Sequence, residues 1–198
     1  IQEAQITSQL EHPNIPPVHD VGTGPKGTVF FTMKRVTGRT LSKVVGGPES
    51  LVRRLDLFLK VCDAVAYAHS RGVMHRDLKP SNVMVGEYGE VYVLDWGLAK
   101  VVGAPELPVT EHIHTDPSES QSLLTIDGRV MGTPSYMSPE QIRGTQVDHR
   151  ADMYGMGILL YELLTGAPPF RARRPQEYLW LHCTSQPTPV SRQLDDVP

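Results

Sequence analysis

The apolar positions of the chain predict three helices of ordinary length. The clearest is predicted over Ser50–Arg71, where Ser50 can cap the first turn and Gly72 follows the last. A second is predicted over His149–Thr165 and is apolar on most sides, which indicates a buried helix. A third is predicted over Pro175–Cys183. The expected apolar stripe of the first helix consists of Leu51, Leu55, Phe58, Leu59, Cys62, Val65 and Ala66.

Short strands are predicted between clusters of turn-forming residues. One pair covers Val18–Gly22 and Thr28–Arg35. Another covers Val83–Val85 and Val91–Leu94, and the Gly86–Gly89 turn between them predicts a hairpin.

The remaining segments are shorter or less regular. Residues 1–11 resemble the end of a helix, with Ile6 and Leu10 on one face, and Thr40–Val45 suits a short helix. Lys100–Val130 is rich in proline, serine and threonine and is expected to be irregular. A loop of that length is usually functional or disordered.

Composition narrows the class of protein. The 198 residues suit one domain, and an apolar share of 39% with a charged share of 21% is typical of globular proteins. A formal net charge of -3 argues against nucleic acid as the main partner. Cys62 and Cys183 are expected to be reduced thiols of a cytoplasmic domain. No membrane segment is expected, since the most apolar run, Met156–Leu164, is short and carries Glu162.

Two motifs carry the candidate chemistry: H-R-D-L-K-P-S-N at His75–Asn82 and D-W-G at Asp95–Gly97. They supply a carboxylate that can orient a hydroxyl, Asp77, and an ammonium that can hold a phosphate, Lys79. Taken singly, these residues also suit structural roles, since Asp77 could cap a turn, Lys79 could be a solvated charge and Asp95 could end a strand.

The predicted hairpin adds a candidate metal site. Asn82 precedes its first strand and Asp95 ends its second, so both oxygen-bearing side chains are expected at the same end. Mg²⁺ takes oxygen ligands from one or two side chains and shares the rest with phosphates and water. These residue types therefore indicate phosphoryl transfer.

In these motifs the chain resembles the protein kinase superfamily, specifically bacterial serine/threonine kinases of the eukaryotic type. The resemblance runs from Glu3 to about Phe170, and the motifs follow the family's order. It implies an α+β, protein-kinase-like fold, truncated to the end of the small lobe plus most of the mainly helical large lobe. Residues 1–36 would be the remainder of the small lobe and the hinge, and residues 37–198 a large lobe incomplete at its C-terminus.

The resemblance also implies roles for the motif residues. Asp77 would accept the proton of the substrate hydroxyl, and Lys79 would contact the transferring phosphate. Asn82 and Asp95 would ligate Mg²⁺, which bridges the phosphates of ATP. Trp96 stands where the family has phenylalanine, and its N–H needs a partner.

A second group of residues follows from the segment Gly132–Glu140, which resembles the end of the family's activation segment. Thr133 would bond to Asp77 and Lys79, a feature of serine/threonine specificity, and Glu140 would pair with an arginine of the closing helices. Asp152 resembles the buried aspartate that anchors the catalytic loop; a simple charge near a helix start is the alternative.

The nucleotide side of the site is implied by Phe31–Val36, which resembles a strand and the hinge. Met33 would be the gatekeeper, and backbone groups of Lys34 and Val36 would meet adenine. Glu3 stands where the family keeps the glutamate that pairs with a small-lobe lysine, although an exposed helical acid is the alternative.

Arg76 usually pairs with a phosphorylated residue of the activation loop in this family. Thr125 is the candidate autophosphorylation site, for which self-association is a possible route, while Asp127 could offer Arg76 a fixed negative charge instead. The expected partners are proteins with serine or threonine hydroxyls.

Three functions are compatible with these residues. The leading one is an ATP- and Mg²⁺-dependent serine/threonine protein kinase. A pseudokinase or binding scaffold is the second, and a small-molecule phosphotransferase of kinase-like fold is a remote third. We expect the chain to be a piece of a longer protein, because the glycine-rich loop and the small-lobe lysine that the resemblance requires would precede residue 1. The piece alone is therefore expected to be inactive.

Overall fold

The computed structural model of the chain describes residues 6–24, 28–96, 99–101 and 132–194. This part has the expected α+β composition. Its strands are β1 (Val18–Thr23), β2 (Val29–Met33), β3 (Arg39–Thr40), β4 (Val73–Met74), β5 (Val83–Val85), β6 (Val91–Val93) and β7 (Lys100–Val101). Its α-helices are α1 (Leu41–Val45), α2 (Leu51–Ser70), α3 (Pro139–Arg143), α4 (Arg150–Thr165) and α5 (Pro175–Thr184). Single 3₁₀ turns cover Pro80–Asn82, Pro134–Tyr136 and Val190–Arg192.

The strands form three small antiparallel sheets. β1 pairs with β2, β5 lies between β3 and β6, and β4 pairs with β7. The β5–β6 hairpin is confirmed, with Val83 opposite Val93 and Val85 opposite Val91. The expectation of irregular structure from residue 100 onward is wrong at β7, and β3 and β4 were not predicted. Strands of two residues are too short to show an alternating pattern.

Helix α2 has its predicted bounds, and the Ser50 side chain accepts a hydrogen bond from the Arg53 N–H at 3.3 Å. Its predicted apolar stripe is wrong in large part. Leu55 is 36% exposed and Leu59 is 60% exposed. The fully buried positions are Leu57, Val61, Ala64, Val65 and Ala68, of which Val65 belongs to the predicted stripe; the predicted Phe58 and Cys62 are partly buried against the core. The sequence could not settle the face, because apolar residues occupy both sides of this helix.

One hydrophobic core joins α2 and α4 to the β5–β6 hairpin and to the start of the described chain. It includes Val61, Val83, Leu159 and Leu163, all fully buried, and Leu10, which is 1% exposed. Among the described residues, none of the helices combines the length and apolarity needed to cross a bilayer.

The turn after the first described residues is tied directly to the hairpin. The Asn14 Nδ2 donates to the Val91 carbonyl oxygen at 2.8 Å, and the Val93 N–H donates to the Asn14 carbonyl oxygen at 2.8 Å. The His12 ring stacks on Tyr67 of α2 with 5.2 Å between centroids. These contacts fix the approach of the β1–β2 sheet to the rest of the fold.

Candidate active site

A buried carboxylate of α4 holds the backbone before Asp77. Asp152 is 2% exposed, and its two oxygens accept the N–H groups of His75 at 2.8 Å and Arg76 at 2.7 Å. Burial works to raise the pKa of Asp152, but the hydrogen bonds from the His69 side chain at 2.7 Å and from these N–H groups leave that pKa below its usual value. The carboxylate therefore makes the kind of backbone contact that the resemblance implied.

The ring of His75 links this loop to the D-W-G segment. Its Nε2 lies 2.9 Å from the Leu94 carbonyl oxygen, and its Nδ1 accepts the Asp77 N–H at 3.3 Å. With Nδ1 as the acceptor, Nε2 is the ring nitrogen that donates to the Leu94 carbonyl oxygen. The Trp96 ring packs 4.7 Å from it, is 2% exposed and donates its Nε1–H to the Val93 carbonyl oxygen at 3.2 Å. The substituted tryptophan thus has the partner that its N–H needs.

Three predicted residues converge on one carboxylate. Asp77 is 7% exposed, and its Oδ1 accepts the Thr133 N–H at 3.0 Å. Its Oδ2 lies 2.8 Å from the Lys79 Nζ. The Lys79 Nζ also donates to the Thr133 Oγ1 at 2.7 Å. A carboxylate, an ammonium and a hydroxyl therefore face one another, although Lys79 and Thr133 are 54 residues apart.

The hairpin places the two candidate metal ligands at one end. The Leu94 N–H donates to the Asn82 carbonyl oxygen at 2.8 Å, which sets Asp95 next to that pair. The Asn82 Nδ2 donates to the Asp77 carbonyl oxygen at 2.9 Å and to the Asp77 Oδ2 at 3.2 Å.

Because the Asn82 Nδ2 makes both of these hydrogen bonds, the amide oxygen of Asn82 remains available for another partner. Asp95 is exposed, has a φ of 61°, and no described residue donates to its carboxylate. One amide and one carboxylate oxygen fit a hard cation that takes its remaining ligands from phosphate and water. The described residues contain no cluster of three or more His, Cys, Asp or Glu that could hold a metal.

The predicted hinge follows β2 directly. Met33 ends that strand and is 38% exposed. The Lys34 N–H donates to the Pro17 carbonyl oxygen at 3.0 Å, and its ammonium lies 4.6 Å from the Tyr92 ring centroid and donates to the Tyr92 hydroxyl. Within the described part, the backbone N–H of Val36 has no hydrogen-bond partner. A planar base could therefore use it.

The end of the predicted activation segment is a capped helix start. Glu140 lies in the first turn of α3, and Gly144 ends this helix with a left-handed φ of 63°. The Ser138 Oγ accepts the Gln141 N–H at 3.4 Å, and the Gln141 Oε1 accepts the Ser138 N–H at 3.1 Å. This is a capping box, which the S-x-x-Q spacing could have predicted.

Two further contacts in this region were not predicted. The Gln141 Nε2 donates to the Arg76 carbonyl oxygen at 2.8 Å. The Tyr136 hydroxyl donates to the Glu162 Oε2 at 2.6 Å. Neither pair is close in sequence, so only the fold brings them together.

The structure describes only some of the residues that are predicted to regulate the site. Arg76 has a φ of 70°, and among the described residues no carboxylate pairs with its guanidinium. Thr125, Asp127 and Glu3 lie outside the described residues. Their roles therefore stay predictions.

Comparison with known proteins agrees with this geometry. The family model described as "Protein kinase domain" matches residues 1–195. The chain is 38% identical to serine/threonine-protein kinase PknD of Protochlamydia amoebophila, over 90% of this chain and 20% of that protein. It is 39% identical to serine/threonine-protein kinase pkn3 of Myxococcus xanthus, over 98% of this chain and 34% of that protein. For PknD of Chlamydia felis the identity is 33%, over 96% of this chain and 22% of that protein.

The chain therefore belongs to the protein kinase domain family, and it is similar to bacterial kinases of the eukaryotic type. It spans between a fifth and about a third of the length of these relatives.

Proposed function

We propose that this protein transfers the γ-phosphoryl group of ATP to serine and threonine hydroxyls of proteins. The observation that carries the proposal is the cluster in which Asp77 Oδ2 lies 2.8 Å from the Lys79 Nζ, and both residues bond to Thr133. The names of the relatives support the same reaction class.

In this site Asp77 orients the acceptor hydroxyl and takes its proton. The Lys79 side chain lies beside it and neutralises charge on the transferring group. Thr133 joins both residues to the segment on which a peptide would dock. When bound, ATP supplies the phosphoryl group, and Mg²⁺ neutralises the charge of its phosphates. Asn82 and Asp95 would hold the metal, and backbone groups of Lys34 and Val36 would hold the base.

We further propose that residues 1–36 form part of the small lobe with the hinge, and residues 37–198 part of the large lobe. The support is that β1 and β2 pair only with each other among the described strands. Transfer between two copies of the chain is the proposed route of autophosphorylation at Thr125.

The test is phosphoryl transfer by the full-length protein, with labelled ATP, Mg²⁺ and casein as a generic acceptor, followed by phosphoamino acid analysis. Label is expected on serine and threonine. Asp77→Asn is expected to lower the rate by about 10²- to 10⁴-fold, because a positioned base contributes about that much. Asp56→Asn, on the exposed side of α2, is the matched control. A wild-type rate in Asp77→Asn, or label on tyrosine alone, would contradict the proposal.

A further inference from the structure

The peptide unit between Arg76 and Asp77 is held in an unusual conformation. Arg76 has a φ of 70°, in the left-handed region that residues with a Cβ atom rarely adopt. Such a conformation persists only where surrounding contacts fix it. The peptide unit also carries the N–H of Asp77, so its orientation sets the direction in which the Asp77 side chain leaves the backbone.

Contacts on two sides fix this backbone. Asp152 accepts the Arg76 N–H at 2.7 Å, and His75 Nδ1 accepts the Asp77 N–H at 3.3 Å. On the other side, the Gln141 Nε2 donates to the Arg76 carbonyl oxygen at 2.8 Å. Asp152 belongs to α4 and His75 to the loop itself, whereas Gln141 belongs to residues 132–141, which we call the peptide-docking segment because a substrate peptide would dock on it.

Gln141 makes this contact while its other amide atom caps a helix. Its Oε1 accepts the Ser138 N–H at 3.1 Å, so both ends of the side-chain amide are occupied and its orientation is defined. Ser138 is fully buried, which keeps water from competing for this bond. The Nε2–H therefore reaches Arg76 only while the first turn of α3 is formed.

The docking segment touches the proposed base at a second point. The Thr133 N–H donates to the Asp77 Oδ1 at 3.0 Å. One contact thus positions the carboxylate itself, and the other positions the backbone from which it extends. Both are lost together if the segment leaves its place.

We propose that Gln141 is a positioning residue of the phosphoryl-transfer site, which couples the docked state of residues 132–141 to the orientation of Asp77. This inference rests on the proposed function. It assigns to Gln141 a role beyond that of a helix cap, because a cap needs only the Oε1 and leaves the Nε2–H free for Arg76.

Two substitutions separate the two roles. Gln141→Glu keeps an acceptor for the Ser138 N–H, as in the usual capping box, but places an oxygen against the Arg76 carbonyl. Gln141→Met removes both bonds at similar side-chain length. Gln176→Glu makes the same chemical change at an exposed position in the first turn of α5 and is the matched control.

The experiment measures single-turnover phosphoryl transfer, ATP affinity and melting temperature in the full-length protein. Gln141→Glu is expected to lower the transfer rate about 10- to 100-fold, since small misplacements of a reacting group cost this much. Its ATP affinity should stay at the wild-type value, and its melting temperature should fall less than that of Gln141→Met, because the bond to the Ser138 N–H is kept. Gln141→Met should lower both the rate and the melting temperature, and Gln176→Glu should change neither. A wild-type transfer rate in folded Gln141→Glu would overturn the proposal.

A second readout does not depend on catalysis. Amide hydrogen exchange of a peptide covering Met74–Leu78 is expected to be at least several-fold faster in Gln141→Glu than in the wild type and in Gln176→Glu. If the wild-type protein transfers no phosphate, the proposed function fails, and this exchange still decides whether Gln141 holds the loop. Unchanged exchange would show that it does not.

Discussion

Tyr136, in the proposed peptide-docking segment, and Glu162, in α4, form a partly buried pair. Burial is the main cause that raises the pKa of Tyr136, and the charge and hydrogen bond of Glu162 raise it further. Burial also raises the pKa of Glu162, against the opposing effect of the Tyr136 hydroxyl. The Tyr136 hydroxyl donates to the Glu162 Oε2 at 2.6 Å, so each of the two side chains is the hydrogen-bond partner of the other.

Tyr136→Phe is expected to lower the free energy of unfolding by about 1–3 kcal/mol, the cost of leaving a buried acceptor without its donor. The loss in the free energy of unfolding caused by Tyr136→Phe should grow as the pH rises. An acid whose pKa is raised by folding contributes stability that is present below its unfolded pKa, about 4.3, and is lost as the pH passes its folded pKa. Without the tyrosine hydroxyl this pKa rises further.

Urea unfolding at mildly acid and at neutral pH measures the effect, with Tyr88→Phe as the control, because Tyr88 is 92% exposed. Equal stability of the two phenylalanine variants at neutral pH would show that the bond to Glu162 contributes nothing.

At the scale of elements, helix α2 has apolar residues on two faces, and only one of these faces packs against the core. The buried face carries two alanines, Ala64 and Ala68, which allow neighbouring elements to approach closely. The face with Leu55 and Leu59 is apolar too, but both of these side chains are exposed in the described part of the chain. Tertiary packing, not the apolar pattern, decided the orientation.

The same substitution at two nearby positions tests this orientation. Leu57→Ala is expected to cost about 2–5 kcal/mol in the free energy of unfolding, because Leu57 is 1% exposed and its loss leaves a cavity. Leu59→Ala should change it by less than about 0.5 kcal/mol, since a surface substitution in a helix rarely does more. Urea unfolding of the 198-residue chain measures both. A larger loss in Leu59→Ala than in Leu57→Ala would reverse the assignment of the buried face.

Helix α5 contributes a buried histidine to the packing under the docking segment. His182 is 5% exposed, its Nδ1 lies 2.7 Å from the Tyr154 hydroxyl, and its ring packs 5.0 Å from Phe170. Its Nε2 is buried without a hydrogen-bond partner among the described residues. Burial lowers the pKa of His182, partly offset by a backbone group of Ser135.

This environment predicts a loss of stability in acid. A histidine whose pKa is lowered by folding contributes stability that is present above its unfolded pKa, about 6.5, and is lost as the pH falls through the window down to its folded pKa. His182→Gln keeps an acceptor for Tyr154 and cannot be protonated, so the dependence of stability on pH between 7.5 and 5.5 should become shallower. Thermal unfolding at the two pH values measures it, with the exposed His19→Gln as control. Identical slopes in both variants would contradict the assignment.

At the scale of the whole molecule, the sequence predicted those features that local order encodes. The H-R-D-L-K-P-S-N and D-W-G motifs contain the residues of the proposed site, and the glycine-bounded hairpin that joins Asn82 to Asp95 was predicted and is present. The contact of Gln141 with Arg76 was missed, because it joins residues 65 apart. So was the setting of His182, whose neighbours come from α4, from Phe170 in the segment after α4 and from the turn Pro134–Tyr136. Such placements follow from packing and leave no periodic signal in the chain.

The proposed nucleotide site combines residues after β2 with residues of the β5–β6 hairpin, so a bound nucleotide would contact two separate parts of the fold. Backbone groups after β2 would hold the base, and Asn82 and Asp95 at the end of the hairpin would hold the metal that binds the phosphates. Since the turn at Asn14 bonds to Val91 and Val93 of the same hairpin, a ligand across the site should stabilise both parts together.

ATP with Mg²⁺ is therefore expected to raise the melting temperature of the full-length protein, and at a hundred times the dissociation constant the stabilisation is about 2.7 kcal/mol. Asp95→Asn should retain the shift seen with ATP and a chelator but lose the further increase that Mg²⁺ brings, because a neutral amide replaces the carboxylate ligand. Asp56→Asn should respond to Mg²⁺ as the wild type does. Differential scanning calorimetry with ATP, with and without Mg²⁺, measures each case. A full Mg²⁺-dependent increase in Asp95→Asn would remove Asp95 from the proposed metal site, while leaving the assignment of Asp77 as the base untouched.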